Sequence, residues 1–359
     1  MSSYVKDGAK VCVAMSGGVD SAGAALLLQR QGLEVSGVTL LLHNCKNLPG
    51  SDTESTETAS AKAVADAIHI PHTVLDRRDL FRQEVMGRFV SEYQAGRTPN
   101  PCIDCNREIK FGALLDWALD QGAEYLATGH YARIRYDEGR DRWLLLRGDD
   151  RSKDQSYVLY QLTQRQLAHV LLPVGTYEKP VLRQLAAEAG LPNAQRSDSQ
   201  DICFIPDGDY VGFLKTCGVE PQPGDFVDES GKVLGRHKGQ ECYTTGQRKG
   251  LGISADAPVY VLRKDGEHNT IVVGPNEHLF RTELTADRVN WISIPELTSP
   301  IRVTAKTRYS QREAGATVEP LEGGRIRVRF DEPQRAITAG QAVVLYDGEE
   351  VVGGGTILE

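Results

Sequence analysis

Residues 11–28 read Val11-Cys12-Val13-Ala14-Met15-Ser16-Gly17-Gly18-Val19-Asp20-Ser21-Ala22-Gly23-Ala24-Ala25-Leu26-Leu27-Leu28. A short apolar run, a turn of hydroxyls and glycine, and a longer apolar run give the order buried strand, turn, helix. A turn in that position aims backbone N–H groups and the positive end of the helix dipole at one point, which suits a phosphate. Gly17 and Gly18 let the backbone approach that phosphate with no Cβ in the way. Ser16 and Ser21 add hydroxyl donors, and Asp20 has the chemistry to hold a Mg²⁺ ion bridging phosphate oxygens. A bare Gly-Gly would mean no more than a tight turn; the surrounding hydroxyls and carboxylate carry the nucleotide reading.

Outward from this stretch, apolar strands over 10–15, 33–42, 72–76 and 125–128 alternate with helical patterns over 21–31, 55–68, 80–93 and 107–121. That alternation predicts an α/β fold with a doubly wound parallel sheet. Ligands of such sheets sit beyond the carboxyl ends of the strands. The loop at Ser16, the segment after Leu40 and Thr128-Gly129-His130 should therefore converge. Residues 46–58, rich in Ser, Thr, Glu and Gly, read as a mobile loop over that edge. A hairpin is expected over 131–147, and helices over 157–172 and 179–189, the second stopped by Gly190 and Pro192. After residue 210 glycine and proline recur between short β-branched strands. The expected organisation is a sheet domain over 1–212, a small mostly-β domain over 213–278 and a C-terminal β-barrel over 279–359. The barrel's strands are expected at 302–307, 325–330, 342–346 and 351–357.

A chain of 359 residues is long for one core, and 40% hydrophobic with 25% charged residues is the balance of a soluble globular protein. No apolar run approaches the roughly 20 residues of a membrane-spanning helix. The N-terminus lacks a signal-peptide core, so the expected location is cytoplasmic. Seven cysteines, an odd number, argue for reduced thiols over a disulfide framework. The net charge of −8 does not by itself suggest a nucleic-acid partner. The basic run Lys232, Arg236, Lys238, Arg248 and Lys249, taken alone, is a solvated surface.

Cys102-Ile103-Asp104-Cys105 follows Thr98-Pro99-Asn100-Pro101. The two prolines are expected to hold off the helix until about Arg107. At a helix N-terminus beside Arg107 and Lys110, both thiols are expected to be acidic enough to ionise at neutral pH. Such a pair fits metal ligands, a redox couple or a sulfur carrier; one Cys-x-x-Cys is too few ligands for structural zinc. Cys203, between Ile202 and Phe204, would in isolation be a core cysteine. Cys12, Cys45, Cys217 and Cys242 read as structural.

The hexapeptide Ser16–Ser21 resembles the PP-loop of ATP pyrophosphatases. It is neither a Walker A loop, which ends in Gly-Lys-Ser/Thr, nor a dinucleotide Gly-x-Gly-x-x-Gly. Further segments extend the resemblance: residues 100–111, Ala127-Thr128-Gly129-His130-Tyr131-Ala132-Arg133, Lys153-Asp154-Gln155-Ser156-Tyr157, residues 198–204 and Gly246-Gln247-Arg248-Lys249-Gly250-Leu251-Gly252-Ile253. In order and spacing the series, from Lys10 to the C-terminus, resembles the bacterial tRNA-specific 2-thiouridylases. Members of that family thiolate C2 of the wobble uridine.

The resemblance implies an ATP site at Ala14, Met15, Ser16, Gly17, Gly18, Val19, Asp20, Ser21, Leu40 and Gly129. It implies a target-base site at Asn100, Pro101 and Cys102, with Cys105 as the catalytic thiol and Cys203 as its persulfide-bearing partner, the two forming a disulfide in turnover. It also implies tRNA contacts at His130, Lys153, Asp154, Gln155, Arg308, Tyr309 and Gln341. The implied cofactors are ATP and Mg²⁺. The implied partners are tRNA and an upstream sulfur-donor protein or sulfide, for a monomer away from membranes. Many family members carry Asp where this chain has Cys102. Cys102, Cys105 and Cys203 could therefore ligate a 4Fe–4S cluster whose fourth iron binds hydrosulfide, so a persulfide route and a cluster route both stand open. The rival readings are another adenylating PP-loop enzyme, such as an amidating synthetase or a tRNA lysidine synthetase, and a non-catalytic tRNA-binding module.

Overall fold

The computed structural model describes residues 5–43, 56–196, 202–255 and 257–358. Strand β1 (Lys10–Ala14) is buried on both faces, with Val11 and Val13 in one core and Cys12 in another. That is the position of a central parallel strand. Around it lie β2 (Glu34–Leu41), β3 (His72–Asp76), β4 (Tyr125–Ala127) and β7 (Val170–Leu171), in the order β3-β2-β1-β4-β7. All four neighbouring pairs are parallel. The chain runs outward from β1 to β3 and then returns to the other side of β1. The switch point between β1 and β4 therefore opens a crevice at the carboxyl ends of the strands.

Helices α1 (Val19–Arg30) and α2 (Thr56–Ala67), with helix Lys179–Glu188, cover one face through Ala22, Leu26, Val64 and Leu182. The opposite face receives a long helix over 101–120, through Phe111, Leu114 and Leu115, together with Val344, Tyr346 and Val351. Those last three belong to the C-terminal barrel: β12 (Phe280–Trp291), β13 (Ile301–Lys306), β14 (Ala314–Pro320), β15 (Ile326–Arg335), β16 (Ala342–Asp347) and β17 (Glu350–Ile357). Its order is β12-β15-β14-β13-β16-β17, and pairing of β12 with β17 closes it. The hairpin β5 (Ala132–Asp137) and β6 (Arg142–Arg147) joins the barrel sheet beside β17. The middle of the chain forms a separate sheet of β8 (Gly224–Val227), β9 (Val233–His237), β10 (Tyr260–Asp265) and β11 (Thr270–Gly274). No described helix is long and apolar enough to cross a membrane.

Residues 157–172 are not one helix. They divide into a 3₁₀ turn Ser156–Leu159, a short helix Gln164–Ala168 and β7. Tyr157, Val158, Leu159 and Tyr160 are all buried, so their run of apolar side chains reflects burial from every side. Thr163 then starts the next helix with a reciprocal capping box to Gln166. Residues 46–55 of the loop expected over the sheet edge, and Cys45 before it, lie outside the described residues.

Candidate active site

The turn after β1 is held from behind. Gly17 has φ +74, and a Cβ there would lie 2.6 Å from the Glu57 carbonyl oxygen. Its own carbonyl accepts from Ser60 Oγ at 2.9 Å, Asn193 Nδ2 at 2.9 Å and Arg196 Nη1 at 3.3 Å. A trans peptide carries its N–H opposite its C=O, so pinning this carbonyl turns the Gly18 N–H the other way. Gly18 is the N-cap of α1 and no side chain caps it, which leaves the first-turn amides for an anion. Ser21 Oγ donates to the Gly18 carbonyl at 3.0 Å and accepts from the Ser16 amide at 3.2 Å. A Cβ on Gly129 would sit 2.6 Å from Asp20 C and Ser21 N. The segment after β4 therefore meets the first turn of α1, and glycine is required where they touch.

Asp20 does not present a free carboxylate to Mg²⁺. Both its oxygens accept from Lys179 Nζ, at 2.6 and 2.7 Å, and Oδ1 also accepts from Tyr131 Oη at 2.8 Å. The Lys179 side chain is 8% exposed. A metal reading of Asp20 does not fit this pairing. Lys179, Asn193 and Arg196 were not singled out in the sequence. They lie far along the chain from Gly17 and Asp20, and only the fold brings them to the loop.

The cysteine helix starts at Pro101. Asn100 is its N-cap, accepting from the Cys102 amide at 3.2 Å, and proline at the first helical position lacks only an N–H the helix would not use. The expected start near Arg107 overlooked this. Cys102 and Cys203 are exposed and Cys105 is buried; all six described cysteines are free. The thiols of Cys102, Cys105 and Cys203 each lie among protein mass, and desolvation, the largest cause, pushes all three upward, Cys203 to about 12. Cys102 and Cys105 raise Cys203 further, so the three thiols share one neighbourhood.

Arg107, expected to help ionise the thiols, turns instead to Glu108 at 2.6 Å, Gln161 at 2.8 Å and Asp104 at 3.2 Å. Asp104 also faces Arg88 at 3.3 Å; burial nevertheless raises its carboxyl to about 6. Among the described residues no three His, Cys, Asp or Glu side chains are gathered to hold a metal. That absence concerns a single ion; Cys102, Cys105 and Cys203 still lie in one neighbourhood.

Leu40, at the end of β2, packs both against the core under the sheet and against the cluster that contains Cys105 and Phe204. The barrel braces the segment before Asn100. Gln341 Nε2 donates to the Thr98 carbonyl at 2.7 Å and the Pro99 carbonyl at 3.3 Å, and the Thr98 amide donates to the Ala339 carbonyl at 2.9 Å.

Most of the residues expected at tRNA are engaged within the chain. Arg308 donates to Thr245, Ala336 and Thr338. Asp154 accepts from the Gly148 and Ser156 amides, Gln155 accepts from the Tyr131 amide, and Lys153 is half-buried. His130 is not on the surface: it is 8% exposed, 2.7 Å from Thr128 Oγ1, and burial holds its pKa well below the usual value. It is a neutral strand-end histidine. Tyr309 is the exposed member, 43% accessible and edge-on to Tyr157.

A pinned glycine cradle at the switch point of a parallel sheet, with thiols on an adjacent helix, defines a nucleotide-activating PP-loop domain joined to two β modules. Residues 9–207 match the family described as tRNA methyl transferase HUP domain, 212–275 its PRC-barrel domain, and 281–357 the aminomethyltransferase β-barrel domain. The tRNA-specific 2-thiouridylase MnmA of Moorella thermoacetica is 53% identical over 354 residues, 96% of this chain and 98% of that one. The protein of the same name from Acetivibrio thermocellus is 49% identical over 354 residues, 97% of this chain and 99% of that one. The chain belongs to the tRNA-specific 2-thiouridylase family.

Proposed function

We propose that the chain is an ATP-dependent tRNA sulfurtransferase that replaces the C2 oxygen of the wobble uridine with sulfur. The observation that carries this is the shared crevice. Gly129 packs on the first turn of α1 at the cradle, and Leu40, near the end of the strand beside β1, packs on the cluster that contains Cys105.

The uracil C2 oxygen attacks the α-phosphorus of ATP, and the bond to pyrophosphate breaks. The amides at Gly17 and Gly18 receive the departing charge. AMP is then a leaving group where the bare oxygen was not. The terminal sulfur of a persulfide on Cys203 attacks C2, and the C2–O bond breaks as AMP departs. Cys105 attacks the Cys203 sulfur, which breaks its bond to the transferred sulfur and leaves a 2-thiocarbonyl with a Cys105–Cys203 disulfide. A thiol reductant returns the pair to thiols, and an upstream persulfide donor reloads Cys203. Magnesium accompanying ATP would offset phosphate charge. An anticodon loop suits this pocket because its bases unstack at low cost.

The test is the dependence of ATP turnover on RNA. Conversion of ATP to AMP and pyrophosphate that needs added tRNA is expected. Turnover that ignores tRNA and follows a small amine instead would assign the chain to the amidating synthetases.

A further inference from the structure

We propose that Lys110 is the positive charge that supports anionic sulfur in this site, and that a π-helical turn is what places it there. The inference rests on the thiolation reading and extends it to a residue that the sequence set near the thiols but that has no part in the steps above.

Cys105 and Lys110 are five positions apart. In an α-helix, at about 100° per residue, that spacing puts them roughly 140° apart around the axis. Residues Cys105–Leu114 are instead wound as a π-helix, closing on i+5 and bringing residues at that spacing together. Gly112 accommodates this winding: a Cβ there would lie 2.8 Å from the Arg107 carbonyl oxygen.

The consequence appears in the electrostatics. The Lys110 charge acts on Cys102, Cys105 and Cys203, in each case opposing the effect of burial, and it also acts on His130. Other nearby cations are taken. Arg107 is held by Asp104, Glu108 and Gln161, and Arg88 by Asp104. His130 is buried and neutral. Among the described residues Lys110 has neither an ion-pair nor a hydrogen-bond partner.

The chemistry calls for such a charge. A persulfide attacks as an anion, and Cys105 attacks as a thiolate. Burial of Cys105 opposes the anionic form, and a nearby ammonium is a counterweight. An unpaired lysine five residues along the π turn from Cys105 supplies it without giving up a structural ion pair.

The experiment compares Lys110→Met, Lys110→Arg and Gly112→Ala with the unaltered protein, using tRNA, ATP and a persulfide donor. Two rates are read: formation of 2-thiouridine and tRNA-dependent release of pyrophosphate. Lys110→Met is expected to lower kcat for thiolation roughly 30-fold or more, with KM for ATP and tRNA unchanged and pyrophosphate release retained. Lys110→Arg is expected to recover most of that loss, and Gly112→Ala to fall between them as Lys110 is turned aside.

Full thiolation by Lys110→Met would overturn the proposal. So would a loss of pyrophosphate release equal to the loss of thiolation, or an Arg variant as impaired as the Met variant. Gly112→Ala with an unchanged kcat would overturn the part played by the π turn. An unaltered protein that makes no 2-thiouridine would instead count against the functional reading itself.

Discussion

The cradle at Gly17 and the thiols around Cys105 share one edge of the sheet but are prepared in opposite ways. At the cradle the polar groups are already paired: three donors hold the Gly17 carbonyl, and Lys179 and Tyr131 hold Asp20. What is left for a ligand is a set of backbone amides whose geometry is fixed beforehand. At the thiols the strong pairing lies elsewhere. Arg88 and Arg107 close on Asp104, while the sulfurs sit in surroundings that favour their protonated form. A nucleotide cradle gains from rigidity because its ligand arrives charged. A sulfur site that stays protonated until substrate is bound loses less of its nucleophile to side reactions.

The sharpest way to break this comparison is to remove one side at a time. Cys105→Ser should lower 2-thiouridine formation by about 10³-fold or more, the scale for loss of a covalent catalyst. It should leave tRNA-dependent pyrophosphate release intact, as measured with labelled ATP; a parallel fall in both would mean the two regions act as one. Lys179→Met should do the reverse. With the Asp20 carboxylate left beside the cradle and unpaired, the KM for ATP should rise about tenfold or more, and pyrophosphate release and thiolation should fall together. Unchanged ATP affinity would show that the pair is not part of the cradle.

A third test concerns the pairing behind the thiols. Asp104 titrates near 6 in the folded chain, above its ordinary value of 3.8. Between about pH 4 and pH 6 the folded protein therefore holds a proton there that the unfolded chain has lost, so this contribution to stability falls as pH rises. The change across the window is about 2–3 kcal/mol. Urea midpoints for the unaltered protein and Asp104→Asn should diverge in slope over that range, the variant being the flatter; equal slopes would remove Asp104 from the account. The smallest effect is expected at the brace between barrel and helix. Gln341→Ala should cost about 1 kcal/mol and lower thiolation only modestly, with denaturant unfolding as the check.

How much was legible in the sequence follows the same division. The cradle was, because strand, turn and helix are contiguous from Val11 to Leu28 and their order dictates where amides point. The parallel sheet was also legible, from the spacing of its strands, except at β7, where only Val170 and Leu171 pair and no periodicity can register. Lys179, Asn193 and Arg196 were not, because nothing local distinguishes a lysine that meets Asp20 from one in solvent. At the cysteines the residues were readable and their state was not. Helix dipole and nearby cations argued for thiolates, but Arg107 turns away and burial outweighs Lys110. For His130 the expected tRNA contact came from the resemblance alone; by itself it reads as a satisfied strand-end histidine, and Thr128 and Phe111 enclose it.

The central claim is that the cradle activates a uracil oxygen for sulfur carried by Cys105 and Cys203. It is tested most directly by mass spectrometry of nucleosides from tRNA incubated with the protein, ATP and a persulfide donor. 2-Thiouridine is expected at the wobble position, dependent on ATP and absent with Cys105→Ser. Unmodified uridine after ATP has been turned over in the complete mixture, or 2-thiouridine formed equally well by Cys105→Ser, would contradict it.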